Sequence, residues 1–291
     1  MNKKRRRFGD RKDGRRVRTL NPMATVVPFI MKTRNDSLNM MSDTVDATVI
    51  QKYVNEKKKE GLAGFSIMYV IIAAYIRAIS QRPAVNRFVS GQRVFSRDYV
   101  EIALTIKKDM TIESPDTVIK VVLPRDATAY DVYEAFEKTI KDYRETPGGD
   151  FDKTANFLAH MPRLIFRFAI GFLNFLDYFG WLPRKLTDIS PFHASMFITS
   201  MGSLGVPAVY HHLYNFGNVP IFISFGKKKY VNKLLDDGTV LRVPMLDVRF
   251  VMDERICDGY YFASAWKYMR TLFKNPKVLD TKPEKVIEDI D

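Results

Sequence analysis

The sequence predicts an α/β fold of the two-layer α+β kind, a mixed β-sheet flanked by helices. Three observations carry that prediction. Apolar residues recur at helical spacing in several long runs; alternating runs rich in β-branched residues stand between them; and no repeat, low-complexity tract or Pro/Ser-rich linker divides the 291 residues. Hydrophobic residues make up 46% of the chain, enough for one large core, so global disorder is excluded.

The elements follow in order. "DATVIQKYVNEKKKEG" sets Val49, Ile50, Tyr53 and Val54 at helical spacing, and Gly61 follows the lysines as a stop. "FSIMYVIIAAYIRAISQRP" is apolar almost all round until Arg77 and ends before Pro83, a helix buried on most faces but too short to cross a bilayer. "VNRFVSGQRVFSRDYVEIALTIKK" alternates around Ser90-Gly91-Gln92, the pattern of a hairpin feeding a further strand. "DTVIKVVLPRDATAYDVYEAFEKTIKDYRE" reads as strand, turn and amphipathic helix, with Asp126 or Thr128 as cap. "ASMFITSMG", "VPIFISFGKKK" and "LRVPMLDVRFVMD" are strand-like, and "YYFASAWKYMRTLFKNP" is an amphipathic helix ending at Asn275-Pro276.

Two segments stand outside this pattern. The basic arm, residues 1–20, precedes the main domain at 21–291; its first 18 residues hold ten Lys/Arg and two Asp, which supplies most of the chain's net +13. It lacks the apolar core of a secretory signal. It is either a solvated or locally docked arm, or a means of attracting anionic lipid, nucleic acid or an acidic partner. The second segment, a helical insertion at about 154–190, is rich in Phe and Leu but broken by Arg163, Arg167, Asn174, Asp177, Pro162 and Pro183. Those polar groups exclude a spanning helix, because a central charge costs roughly 2.5–3.5 kcal/mol on insertion scales. Two readings remain: helices packed on the core or a subunit neighbour, and an interfacial element at a lipid surface. Peripheral membrane contact through residues 1–18 and 154–185 follows from the second.

Several chemistries are disfavoured. One cysteine, Cys257, allows no intramolecular disulfide and fits a reducing, cytoplasmic setting, with membrane association left open. His160 and His193 show no metal-site spacing, and the short glycine stretches match no nucleotide motif, so no metal is expected. The body outside the arm carries only about +5 and no aromatic-basic platform, which argues against nucleic acid.

The chemistry-bearing stretch is "DERICDG", Asp253 to Gly259, opening the last helix. With "FITSMGSLG" (197–205), "NVPIFISFGK" and "ISQRPAVNRFVSGQRVFSRDYVEIAL", it resembles the catalytic domain of the dihydrolipoyl acyltransferases of 2-oxo-acid dehydrogenase complexes. Those domains share the chloramphenicol acetyltransferase fold. The resemblance runs from about residue 40 to 280, with the apolar stretch as an insertion. It implies a CoA-dependent acyltransferase, with coenzyme A or acyl-CoA as substrate, acting as a homotrimer with sites between subunits. No lipoyl or subunit-binding domain stands ahead of it in this sequence, so a freestanding catalytic-type domain is expected, its acceptor a lipid, small amine or alcohol.

The resemblance also assigns roles. Thr199 matches the hydroxyl that stabilises the oxyanion; Asp253 and Arg255 match a structural ion pair; Asp258 and Gly259 close the loop. Glu254 stands where the signature has its catalytic histidine. A carboxylate is a weaker base than imidazole in water, but burial beside other acids strengthens it, so a Glu base is chemically open. The rival base is His211 or His212 in "AVYHHLYNFGN", which if extended would point to opposite faces; a packed structural pair is the other reading. The alternative function is a catalytically inert relative, a trimeric scaffold or membrane-surface protein on the same fold.

Overall fold

A computed structural model describes residues 6–107, 116–145 and 160–291. Residues 154–159 of the expected insertion therefore lie outside the described residues. Two sheets organise the chain. The larger has six strands in the order β2-β9-β8-β7-β5-β6, built from β2 (Leu38–Asp46), β5 (Val100–Lys107), β6 (Asp116–Leu123), β7 (Met196–Ser200), β8 (Ile221–Leu234) and β9 (Val240–Asp253). β7 runs parallel to β5 and β8, and the other pairings are antiparallel, so the sheet is mixed. The smaller sheet, β1-β4-β3, joins β1 (Gly14–Arg16), β3 (Arg87–Ser90) and β4 (Arg93–Arg97).

Helices cover one face of the large sheet. α2 (Thr48–Lys59), α3 (Ile67–Gln81), α4 (Ala129–Glu145) and the C-terminal helix Gly259–Lys274 pack there. Their apolar residues form one core with Ile198, Ile223, Phe250 and Met252, which point to that side by the two-residue repeat of a strand. Twelve consecutive residues of α3, Tyr69 to Ser80, are buried, as expected for a helix apolar all round. The other face carries a smaller core of Phe197, Phe222, Val251 and Leu213, covered by the 206–220 loop.

Local chemistry explains the turns and caps. Gly91 and Gln92 both have positive φ, 55° and 56°, which makes the β3–β4 connection a two-residue turn of the kind a hairpin twist favours. Thr128 caps α4: its hydroxyl accepts from the Asp131 backbone N–H at 3.2 Å while Asp131 accepts from the Thr128 N–H at 2.7 Å. Asp126, the other cap considered, pairs instead with Lys282 at 3.0 Å.

The arm is docked from residue 6 onward. β1 hydrogen-bonds to β4, and Arg11, Asp13 and Arg15 are all buried. A short helix follows, α1 (Pro22–Ile30), started by Asn21, whose side chain accepts from the Ala24 N–H at 2.7 Å with Pro22 at the first position. In the insertion, α5 (Arg163–Phe179) lies beside β3, and α6 (Arg184–Ile189) follows it, with the Thr187 carbonyl accepting from Lys120 at 2.5 Å; numbered in chain order, the C-terminal helix is α7.

Candidate functional site

β9 ends at Asp253, which is fully buried. A carboxylate there needs partners, and it has four donors. The Arg255 side chain binds it twice, Nε at 2.7 Å and Nη2 at 2.6 Å; the Arg255 backbone N–H and the Ser37 hydroxyl each donate at 3.1 Å. Arg255 continues through Nη1 to the carbonyls of Met31 and Lys32, so the pair straps the loop to the 31–37 segment. Asp258 then caps α7, accepting from the Tyr261 N–H at 2.7 Å, and Gly259 is its first residue. These contacts fix the loop from both ends.

Between the ends sits Glu254. Its backbone N–H is held by the Ser37 carbonyl at 3.0 Å, while its side chain is exposed. The sequence places it in an acidic cluster, where like charges and burial would strengthen a base. The structure disperses that cluster: Asp253 is neutralised by Arg255, Asp258 turns to its cap, and Glu254 faces open space.

That space is a cleft of about 770 Å³. Its floor is the 254–259 loop and Tyr261; one wall is Met23, Ala24 and Val27 of α1, and the other is Ile287, Glu288, Asp289 and Ile290. The chain's end is tied down to make that wall. Arg87, buried, grips Asp289 with Nε at 2.7 Å and Nη2 at 2.6 Å, and Arg15 bonds Asp291 at 2.6 Å. Cys257 also lines the cleft; burial pushes its thiol up to about 12, so at neutral pH it is a protonated, weak nucleophile.

The other expected residues lie elsewhere. Thr199 is half-buried on β7, opposite Ser224 of β8, which is opposite Arg249 of β9. Five residues separate that level from Glu254, so within one chain the two are on the order of 15 Å apart along the strands. One protomer does not bring them together. Thr199 shares the loop-covered face with Phe197 and Phe222. His211 stacks flat on Phe222, with centroids 4.2 Å apart, and its Nδ1 lies 2.8 Å from the His212 carbonyl. The two imidazoles touch each other at 4.5 Å instead of facing opposite ways, because the chain there is not a strand. Neither lines the cleft.

Sequence reasoning missed a second polar cluster, which holds the arm and the insertion together. Arg11 donates to Asp13 at 2.9 Å, Asp177 at 2.6 Å and the Ser90 hydroxyl at 2.9 Å. Asn218 donates to Asp13 at 3.0 Å, and His193 Nε2 lies 3.4 Å from the Asp177 carboxylate. Burial alone would raise the pKa of Asp177; the His193 contact and the Arg11 charge outweigh it and hold the carboxyl well below the usual range. The cluster joins residues far apart in sequence, so only a lone acid in an apolar helix could have signalled it. No group of residues able to hold a metal ion occurs among the described residues.

No family model and no curated protein sequence matches the chain. Solved structures do. A probable dihydrolipoamide acetyltransferase from Listeria monocytogenes is similar over 88% of this chain and 93% of its own, at 15% identity and a TM-score of 0.56. The dihydrolipoamide acetyltransferase of Azotobacter vinelandii is similar over 88% of both chains, at 12% identity and a TM-score of 0.53. A truncated catalytic core of the 2-oxoacid dehydrogenase complex from Thermoplasma acidophilum is similar over 89% of this chain and 98% of its own, at 10% identity and a TM-score of 0.52. The mixed sheet and its helical layer thus share the fold of dihydrolipoamide acetyltransferase catalytic cores.

Proposed function

We propose that this chain is a CoA-dependent acyltransferase, taking an acyl group from a thioester to an acceptor bound in the cleft that Glu254 lines. The observation that carries the reading is the braced 253–259 loop at the floor of a large cleft, on a fold shared with acetyltransferase cores. In the proposed reaction, the acceptor's thiol, hydroxyl or amine attacks the thioester carbonyl and passes its proton to Glu254. The tetrahedral oxyanion accepts a hydrogen bond from Thr199. Collapse breaks the carbon–sulfur bond, and the departing CoA thiolate takes the proton back from Glu254. His211 and His212 are the rival bases.

Because Thr199 and Glu254 are far apart within one chain, this chemistry requires the Thr199 of another copy. That requirement supports the homotrimer implied by the resemblance. Met23, Phe29 and Ile30 of α1, exposed beside the cleft, supply apolar surface for such a contact. Thiol release from acetyl-CoA and longer acyl-CoAs tests the site. Thr199→Ala removes an oxyanion donor and should cost about 10²–10³ in turnover. Glu254→Gln should cost about 10²–10⁴, and His212→Ala should leave turnover intact. Full activity in both of the first two variants removes the assignment.

A second reading, an inert relative serving as a scaffold or membrane-surface protein, is favoured by one observation: the long apolar stripe that α5 presents to solvent. Turnover absent from the unaltered chain with every acyl-CoA length would favour it. Either reading accommodates a cytoplasmic chain attached to a membrane at its periphery.

A further inference from the structure

α5 is amphipathic in an unusual direction. At 100° per residue, Leu164, Phe168, Phe172, Phe175 and Phe179 fall on one stripe, spaced i, i+4, i+8, i+11 and i+15. All five are exposed, from 80% at Leu164 to 50% at Phe179. The stripe therefore faces away from the protein. The opposite side carries Asp177, the acid buried with Arg11 and His193, which clamps the helix along the body. After Phe179 the chain turns at Gly180, whose φ is 74°, and lays Trp181 on the Phe179 ring at 5.0 Å, extending the apolar surface.

The surroundings are cationic. Arg163, Arg167 and Lys185 are exposed and make no ion pair among the described residues. From 160 to 187 the one acid is the buried Asp177, and the next, Asp188, lies 3.6 Å from Arg184. The Arg11 clamp brings in the docked arm, setting Lys12 beside Arg184, whose guanidinium donates to the Lys12 carbonyl at 3.3 Å. Among the described residues no helix is long and apolar enough to cross a membrane, so α5 would lie flat. A second copy is disfavoured as its cover, because each copy carries +13 and the patch offers it no free acid.

We infer that α5 is an interfacial element that seats its phenylalanine stripe and Trp181 in an anionic lipid surface, with Arg163, Arg167 and Lys185 meeting the headgroups. The aromatic residues supply burial at the headgroup boundary and the cations supply charge, the two contributions such attachment combines. The inference stands apart from acyl transfer, since none of these residues lines the cleft.

The test uses the full chain with phosphatidylcholine vesicles, with and without phosphatidylserine. The chain has two tryptophans, and Trp266 is 6% exposed against 61% for Trp181, so lipid contact should shift emission to the blue through Trp181 alone. Trp181→Phe should abolish the shift. Vesicle sedimentation should strongly favour the anionic vesicles. The doubly substituted Phe168→Ser/Phe172→Ser chain should lose more than about tenfold in partitioning, and each of Arg163→Gln and Arg167→Gln about fivefold, on anionic vesicles only. All these sites are exposed, so melting and thiol release should not change. Equal partitioning of the stripe variant and the unaltered chain, or no preference for anionic vesicles, overturns the inference. A fall in oligomer mass in the stripe variant without lipid also overturns it and gives the stripe to a second copy.

Discussion

At the residue scale, the acids of "DERICDG" are distinguished by their partners. Asp253 has four donors and no exposure, whereas the Glu254 side chain has none among the described residues. Asp253→Asn should therefore act on stability: breaking a buried pair while leaving Arg255 unmatched costs about 3–5 kcal/mol, read as a lower urea midpoint. Glu254→Gln should leave that midpoint unchanged and act on turnover alone. Asp177 gives a pH signature. Its folded pKa lies below the unfolded value of about 3.9, so its stabilisation is complete above that value and is lost as pH falls through the folded pKa. Asp177→Asn should melt well below the unaltered chain at pH 7, and the gap should narrow as pH falls toward 3. A gap independent of pH would show that the Asp177 charge contributes nothing. Cys257, held protonated by burial, should react slowly with a thiol reagent at pH 8 in the folded chain and rapidly in urea.

At the element scale, much was legible because the signals are local. The Gly91-Gln92 turn, the Thr128 cap, the buried run of α3 and the stop before Pro276 each follow from residues within a few positions of one another. What was not legible depends on distant pairing. Arg87 meets Asp289 across 202 positions, and Arg11 meets Asp177 across 166. Nothing local distinguishes these arginines from solvated ones, so the basic arm reads as a charge run although a three-residue strand and several ion pairs dock it. The double histidine illustrates the same limit: opposite-face geometry assumes a strand, and the loop over Phe222 is not one. The insertion's seat gives a sharp test. A Cβ on Gly91 would lie 2.2 Å from the Tyr178 carbonyl, and its φ of 55° already disfavours a side chain. Gly91→Ala should destabilise by about 2–4 kcal/mol and expose the 163–179 segment first to proteolysis or hydrogen exchange.

At the scale of the whole molecule, one sheet separates two expected partners in the chemistry. Glu254 lies just past the end of β9, and Thr199 lies on β7 at the level of Arg249, five residues back along β9, on the face that the helical layer does not cover. On the proposed mechanism a single chain would supply Thr199 to one site and Glu254 to another. Under that mechanism, assembly in which each copy lends Thr199 to its neighbour's Glu254 would close the open cleft and remove Glu254 from bulk water. Ring closure by such head-to-tail contacts fits a trimer, with a mass near three times 33.7 kDa by light scattering.

The measurement that bears most directly on this account is complementation. Thr199→Ala and Glu254→Gln chains are produced separately and together, and thiol release from acyl-CoA is compared. Each variant alone should be nearly inactive, while randomly mixed oligomers should recover about one quarter of the unaltered rate, the share of interfaces pairing an intact Thr199 with an intact Glu254. Mixed oligomers no more active than the separate variants would contradict a site shared between copies.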